Sequence, residues 1–209
     1  MSETGCFQLL NKNIILLTGK GSTCAFTESI LRQYGLKTGF FSSPHLVSVT
    51  ERIRINGQPL SQEKFAQHFC QVYDKLEDKP AYFKFLTVMA FNVFIKEKVD
   101  VAVIEVGIGG AFDSTNVIER PICVGITLLD FDHVKVLGNT IEEIAWHKAG
   151  IMKPGTVAFA NPNQPESALI TLQERAKEIG CQIFTAPDLD YYNWSEFPRN
   201  ELGLFKVLN

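Results

Sequence analysis

The sequence has no CxxC pair, no basic leader, no charge excess of either sign and no low-complexity or repeated segment. Its five cysteines, at 6, 24, 70, 123 and 181, are odd in number and widely spaced. That argues against a disulfide framework and for a reducing compartment. The opening MSETGCFQLLNKN carries no arginine and no basic region followed by an apolar run. A signal or transit peptide is therefore not read there, and a cytoplasmic location is expected. The apolar stretch 85–95 is too short to cross a bilayer, so no membrane partner is expected. A net charge of −3 leaves no electrostatic footprint for nucleic acid.

What is present is an ordinary globular composition, 45% hydrophobic and 21% charged over 209 residues. That length favours one domain, which buries about 70% of its unfolded surface and needs no covalent staples. Short apolar runs predict strands at 13–17, 39–41, 100–106, 122–127, 156–160 and 182–184. Several are continuous rather than alternating, as in strands covered on both faces. Helical patterns fall between them at 23–34, 61–76, 84–98, 140–149 and 165–179. The βαβα order predicts an α/β fold: an open, mostly parallel sheet with helices on both faces. Gly35 and Gly180 stand as C′ glycines, Ser61 as an N-cap, and Thr140 with Glu143 as a capping box. The 84–98 helix is apolar nearly all round and should be deeply buried. Asn56-Gly57 marks a tight hairpin within 52–60, read as a small excursion from the main sheet. The expected organisation is a single domain over 1–209, with a core at 13–185 and an irregular, partly disordered tail at 186–209.

The stretch LLTGKGSTCAF (16–26) runs from the end of the first strand through a turn into the first helix. Unpaired N–H groups at a helix start face any anion placed there. Gly19 and Gly21 let the backbone approach phosphate oxygens, Lys20 supplies a point charge, and Ser22 can ligate Mg²⁺. Leu16 and Leu17 are bulky where a phosphate cradle wants small residues, so weakened nucleotide binding is expected. The bland alternative is a Gly-rich turn with a solvated lysine.

Ligands in open parallel sheets bind beyond the carboxyl ends of the strands. There the sequence offers Lys20 to Ser22, then Ser43 to His45, then Glu105 before GIGG, then Asp130, Asp132 and His133. Together they could hold Mg²⁺ beside a triphosphate. Singly, Ser43 could start a Ser-Pro turn, Asp132 could cap one, and His133 could be a surface histidine. Glu105 is harder to dismiss, because it ends the apolar run Val101 to Ile104 and a buried carboxylate wants a cation. Lys148 shares a helix face with Ile141, Ile144 and Ala145, so it either snorkels or is desolvated.

The stretches GKGSTCAFTESILRQYGLKTGFFSSPHLVSVTERIRINGQPLS, DVAVIEVGIGGAFDSTNV and FDHVKVLGNTIEEIAWHKAGIMKPG resemble the folylpolyglutamate synthases of the Mur ligase family, animal forms above all. The resemblance implies the family's P-loop-containing ATP-binding α/β domain. It also implies ATP-dependent ligation of L-glutamate to tetrahydrofolate or its polyglutamates through an acyl phosphate. The implied nucleotide site is Thr18, Gly19, Lys20, Gly21, Ser22 and Thr23, with Lys20 and Lys148 catalytic. Lys148 matches a lysine carbamylated in some relatives. Ser22 would hold one Mg²⁺, and Ser43, Glu105 and His133 a second. Asp113, Asn116 and Asp132 would support. The pattern departs at Leu16-Leu17, where the family has Gly-Thr, and the family's C-terminal domain is expected to be absent. A monomer is expected. The competing readings are an inactive fragment or pseudoenzyme with residual nucleotide or folate binding, and another P-loop ATPase.

Overall fold

In the computed structural model, which describes residues 14–18 and 21–187, strands and helices alternate along the chain. The strands are β1 (Ile14–Thr18), β2 (Thr38–Phe41), β3 (Ile53–Ile55), β4 (Gln58–Pro59), β5 (Val101–Glu105), β6 (Cys123–Ile126), β7 (Val157–Ala160) and β8 (Gln182–Thr185). The helices are α1 (Gly21–Gln33), α2 (Gln62–Tyr73), α3 (Tyr82–Glu97), α4 (Val134–Leu137), α5 (Ile141–Ala149) and α6 (Glu166–Ile179). Two 3-10 turns, Val49–Arg52 and Ser114–Val117, interrupt the loops. Gly19, Lys20, Cys6 and the predicted tail beyond Pro187 lie outside the described residues.

One sheet contains all eight strands, ordered β4-β3-β2-β5-β1-β6-β7-β8. From β2 to β8 the pairing is parallel, and β3 and β4 are antiparallel at one edge. The hairpin is thus not an excursion from the sheet. Its β3 pairs with β2 from Gly39 against Ile55 to Phe41 against Ile53. Asn56 and Gly57 both take positive φ, 50° and 75°, the conformation a two-residue turn demands when its twist must match the strands.

Apart from the short α4, which the sequence patterns did not predict, the remaining helices and strands fall close to their sequence-predicted bounds, and the caps explain why. Ser61 accepts the Lys64 N–H, Thr140 and Glu143 form the capping box, and Gly180 closes α6 in the left-handed region. The apolar α3 buries Phe85, Leu86, Met89, Phe91, Val93 and Phe94. The main core joins α3 to Ile14, Leu16, Phe41, Ile104 and Val124 on one sheet face. A smaller cluster on the other face joins Cys24 of α1 to Ile15, Leu17, Phe40, Val101 and Val103. Leu16 and Leu17 are therefore strand residues buried on opposite faces, 0% and 7% exposed. Among the described residues, no helix is long and apolar enough to cross a membrane, and Cys24, Cys70, Cys123 and Cys181 are free.

Candidate functional site

β2, β5, β1 and β6 are parallel neighbours, so the segments that leave their carboxyl ends share one edge. The chain passes from β5 to β6 across β1, so the strand order reverses at β1. That reversal opens a crevice beyond the strand ends.

Residues paired in register on parallel strands point to the same face. Glu105 pairs with Leu17, and Leu17 packs with Cys24 of α1. Glu105 therefore points to the α1 side, under the first turn of that helix. A Cβ placed on Gly21 would come within 3.2 and 3.3 Å of the two Glu105 carboxylate oxygens. The Ser43 N–H donates to Glu105 Oε2 at 2.9 Å. Only 6% of Glu105 is exposed, and among the described residues no cationic side chain lies within ion-pair distance of it. Burial pushes its carboxyl above the ordinary range, and the Ser43 N–H holds part of that rise back. The same burial, with the Glu105 charge behind it, pushes the Cys24 thiol far up, so that cysteine is inert packing.

Thr18 is a strand residue whose hydroxyl donates to the Gly109 carbonyl at 2.8 Å, tying the end of β1 to the loop after β5. Asp113 organises that loop. Its carboxylate accepts the N–H groups of Ile108 and Thr115 and the Thr115 hydroxyl, at 2.9, 2.9 and 2.6 Å. Asn116 donates from Nδ2 to the carbonyls of Ala111 and Gly150, at 3.1 and 2.9 Å. A Cβ on Gly110 would lie 2.8 Å from the His147 carbonyl and 3.0 Å from that of Lys148. The glycine loop thus sits directly on the C-terminal turn of α5. Lys148 leaves that turn half-buried. Burial pushes its ammonium below the ordinary range, and the Asp132 carboxylate pushes it back up, as expected of a desolvated amine rather than one extended into water.

Two groups emerge on the shared edge. Glu105 lies against both Gly21 and Ser43. Asp132 acts on Lys148 and lies 3.5 Å from His133 Nε2. His133 itself is exposed, with positive φ of 50° at the start of α4, and its ion-pair contact is to Asp132 rather than Glu105. Ser22 and Thr23 are exposed on the first turn of α1. Lys20 and Gly19 lie outside the described residues. No group of three His, Cys, Asp or Glu among the described residues could hold a metal. The donors here suit instead a hard cation that takes one carboxylate, hydroxyls and the oxygens of a bound phosphate. A cavity of about 480 Å³ between α4, α5 and Thr171 of α6 is not lined by Glu105.

Sequence reasoning passed over Glu51 and Arg52. The Glu51 carboxylate accepts the N–H groups of Leu46, Val47 and Ser48, at 2.9, 3.0 and 2.6 Å, and so holds the loop after Ser43. The signal was legible, since Ser48 with Glu51 three residues on has the spacing of a capping box, and both of its bonds form.

No protein-family model matches the chain. It is 57% identical over 189 residues to the mitochondrial folylpolyglutamate synthase of Cricetulus griseus, covering 85% of this chain and 32% of that protein. The chain thus spans about a third of the length of the curated relatives it matches. Among solved structures it is similar to E. coli FolC in complex with DHPP and ADP, with a TM-score of 0.78 and 31% identity, covering 87% of this chain and 44% of that one. A bifunctional folylpolyglutamate synthase/dihydrofolate synthase with Mn, AMPPNP and L-glutamate bound gives a TM-score of 0.76 at 35% identity, covering 87% of this chain and 45% of that one.

Proposed function

We propose, from the chain's membership of the folylpolyglutamate synthase family over its matched region, that it carries the nucleotide- and metal-binding half of an ATP-dependent ligase. The reaction joins L-glutamate to tetrahydrofolate or its polyglutamates. The terminal carboxylate of the folate takes the γ-phosphoryl group of ATP, and ADP leaves. The amine of glutamate then attacks the acyl phosphate, a C–N bond forms, and phosphate departs. The reading places this in the cytoplasm or, as the name of the hamster relative has it, in mitochondria. It also takes the chain to be a monomer.

The observation that carries the proposal is Glu105, a buried carboxylate held by Ser43 against the first residue of α1. A buried carboxylate is costly when, among the described residues, no cation stands beside it, and the helix start above it offsets only part of that cost. Ser22 would hold one Mg²⁺, and Ser43, Glu105 and His133 a second, and the ions would offset charge on the phosphates. Mg²⁺ keeps its waters and takes few protein ligands, which suits this sparse donor set. Lys20 would hold the phosphates. The desolvated Lys148 would be available as a neutral amine to take up CO₂ with release of a proton, and the carbamate anion would lie near the metal. Asp113 and Asn116 keep the loop between them in place.

A second reading, nucleotide or folate binding without turnover, is favoured by one observation. β1 runs through Leu16 and Leu17 to Thr18, and α1 begins at Gly21, which leaves two residues between strand and helix. Calorimetry of the full chain with Mg·ATP, beside incorporation of labelled glutamate into tetrahydrofolate, separates the two. The ligase reading expects micromolar Mg·ATP binding with turnover, and Glu105→Gln weakens that binding about tenfold or more. Binding without turnover favours the second reading; no Mg·ATP binding at all ends the ligase reading and leaves the second only its folate arm.

A further inference from the structure

The 3-10 turn behind the Ser43 loop carries two adjacent charges with unlike surroundings. Glu51 is committed to backbone N–H groups. Arg52 has no such outlet. It is 9% exposed, and its Nε–H donates to His45 Nδ1 at 2.8 Å. Its guanidinium carbon lies 5.5 Å from the centre of the Tyr82 ring. Among the described residues no carboxylate stands within ion-pair distance of it. A buried guanidinium with no anion is expensive, and an aromatic face and a neutral imidazole offset only part of that cost. Neither Arg52 Nη is among the sealed, unpartnered atoms, so that edge of the fork remains reachable. Accepting at Nδ1 leaves His45 with its proton on Nε2, a second donor at the same place. The pair adjoins the candidate site, because the Ser42 N–H donates to the Arg52 carbonyl at 3.1 Å and Ser43 holds Glu105.

We infer that Arg52 and His45 form a carboxylate-binding subsite beside the Ser43–Glu105 corner. As an assignment of substrate contacts this rests on the ligase reading, although the anion site itself does not. A guanidinium meets a carboxylate through two parallel hydrogen bonds. The proposed reaction brings two kinds of non-reacting carboxylate to this edge: the α-carboxylate on the glutamyl tail of the folate, and those of the incoming L-glutamate. Anchoring one of them at Arg52 fixes the orientation of the group that reacts near Glu105.

The chain has four histidines, so proton NMR of the full chain gives few Hε1 signals, and His45→Gln identifies that of His45. Glutarate should move the His45 signal saturably, and the uncharged glutaramide should not. Arg52→Met should raise the apparent Kd for glutarate about tenfold or more, with Arg52→Lys between it and the unsubstituted chain. Tighter binding of L-glutamate than of N-(4-aminobenzoyl)-L-glutamate assigns the subsite to the incoming amino acid, and the reverse assigns it to the folate tail. A His45 signal indifferent to glutarate, or an equal response in Arg52→Met, overturns the subsite. Should Arg52→Met fail to fold, glutarate against glutaramide on the unsubstituted chain decides alone. None of these readouts needs ATP or turnover, so a failed ligase assay leaves the result standing.

Discussion

The two halves of the sheet are built differently on the side that faces α1. The row that contains Leu17 runs one way to Glu105 and the other way through Gly125 and Phe159 to Phe184. On the Glu105 side, α1 covers the strands, and Phe40, Val101 and Val103 are buried. On the other side Phe159 and Phe184 are 45% and 51% exposed, their rings 6.2 Å apart. The opposite face shows no such contrast, for Ala102 and Ile104 of one half and Ala158 and Ala160 of the other are all buried. A desolvated carboxylate needs walls on every side, and only the half under α1 supplies them. The candidate site therefore sits where covered sheet meets strand ends, and the open half contributes scaffold.

The largest expected effect measures that contrast directly. Phe40 is buried on the α1 side, packed with Cys24, Val101 and Val103. Phe40→Ala should cost about 3–5 kcal/mol in urea unfolding, whereas Phe159→Ala should cost less than about 1 kcal/mol. Similar costs would erase the distinction between the halves. The boundary between them gives the next effect. A Cβ on Gly125 would lie 2.3 Å from Leu17 Cδ2, so Leu17 leans into space that only glycine leaves. Gly125→Ala should cost about 1–3 kcal/mol by overpacking. Combined with Leu17→Ala, it should cost clearly less than the sum of the two single changes. Strict additivity would mean that Leu17 points elsewhere.

Most of the fold was legible in the sequence because period, caps and turn residues agree with one another. The uniform apolar run of α3 and the capping box at Thr140 each specify their element locally. The hairpin was read as separate because Asn56-Gly57 announces a turn without saying which strand it will pair with, and 11 residues separate β2 from β3. At the site, Glu105 was legible as an acid ending an apolar strand, and its contact with Gly21 follows from register. Arg52 was not. Nothing local distinguishes a buried arginine from a solvated one, and its neighbours His45 and Tyr82 lie 7 residues before it and 30 after it. Leu16 and Leu17 were read both as the end of the first strand and as bulk crowding the phosphate turn; the strand reading holds, with one residue on each face.

The smallest effect is a slope, and it belongs to the covered half. Burial pushes the Glu105 carboxyl up, so the native state holds a proton that the unfolded chain has released. Stability from this group is complete below the unfolded value and is lost as pH rises through the raised native one. Urea midpoints from about pH 4 to about pH 7 should decline on this account, and Glu105→Gln should flatten the decline. A parallel slope in the variant would mean that other groups carry it. Mg·ATP sharpens the comparison further, since a cation binds the ionised carboxylate and so favours the state that burial opposes. With Mg·ATP present the unsubstituted chain should lose its decline, and Glu105→Gln, with no carboxylate to ionise, should show no change of slope.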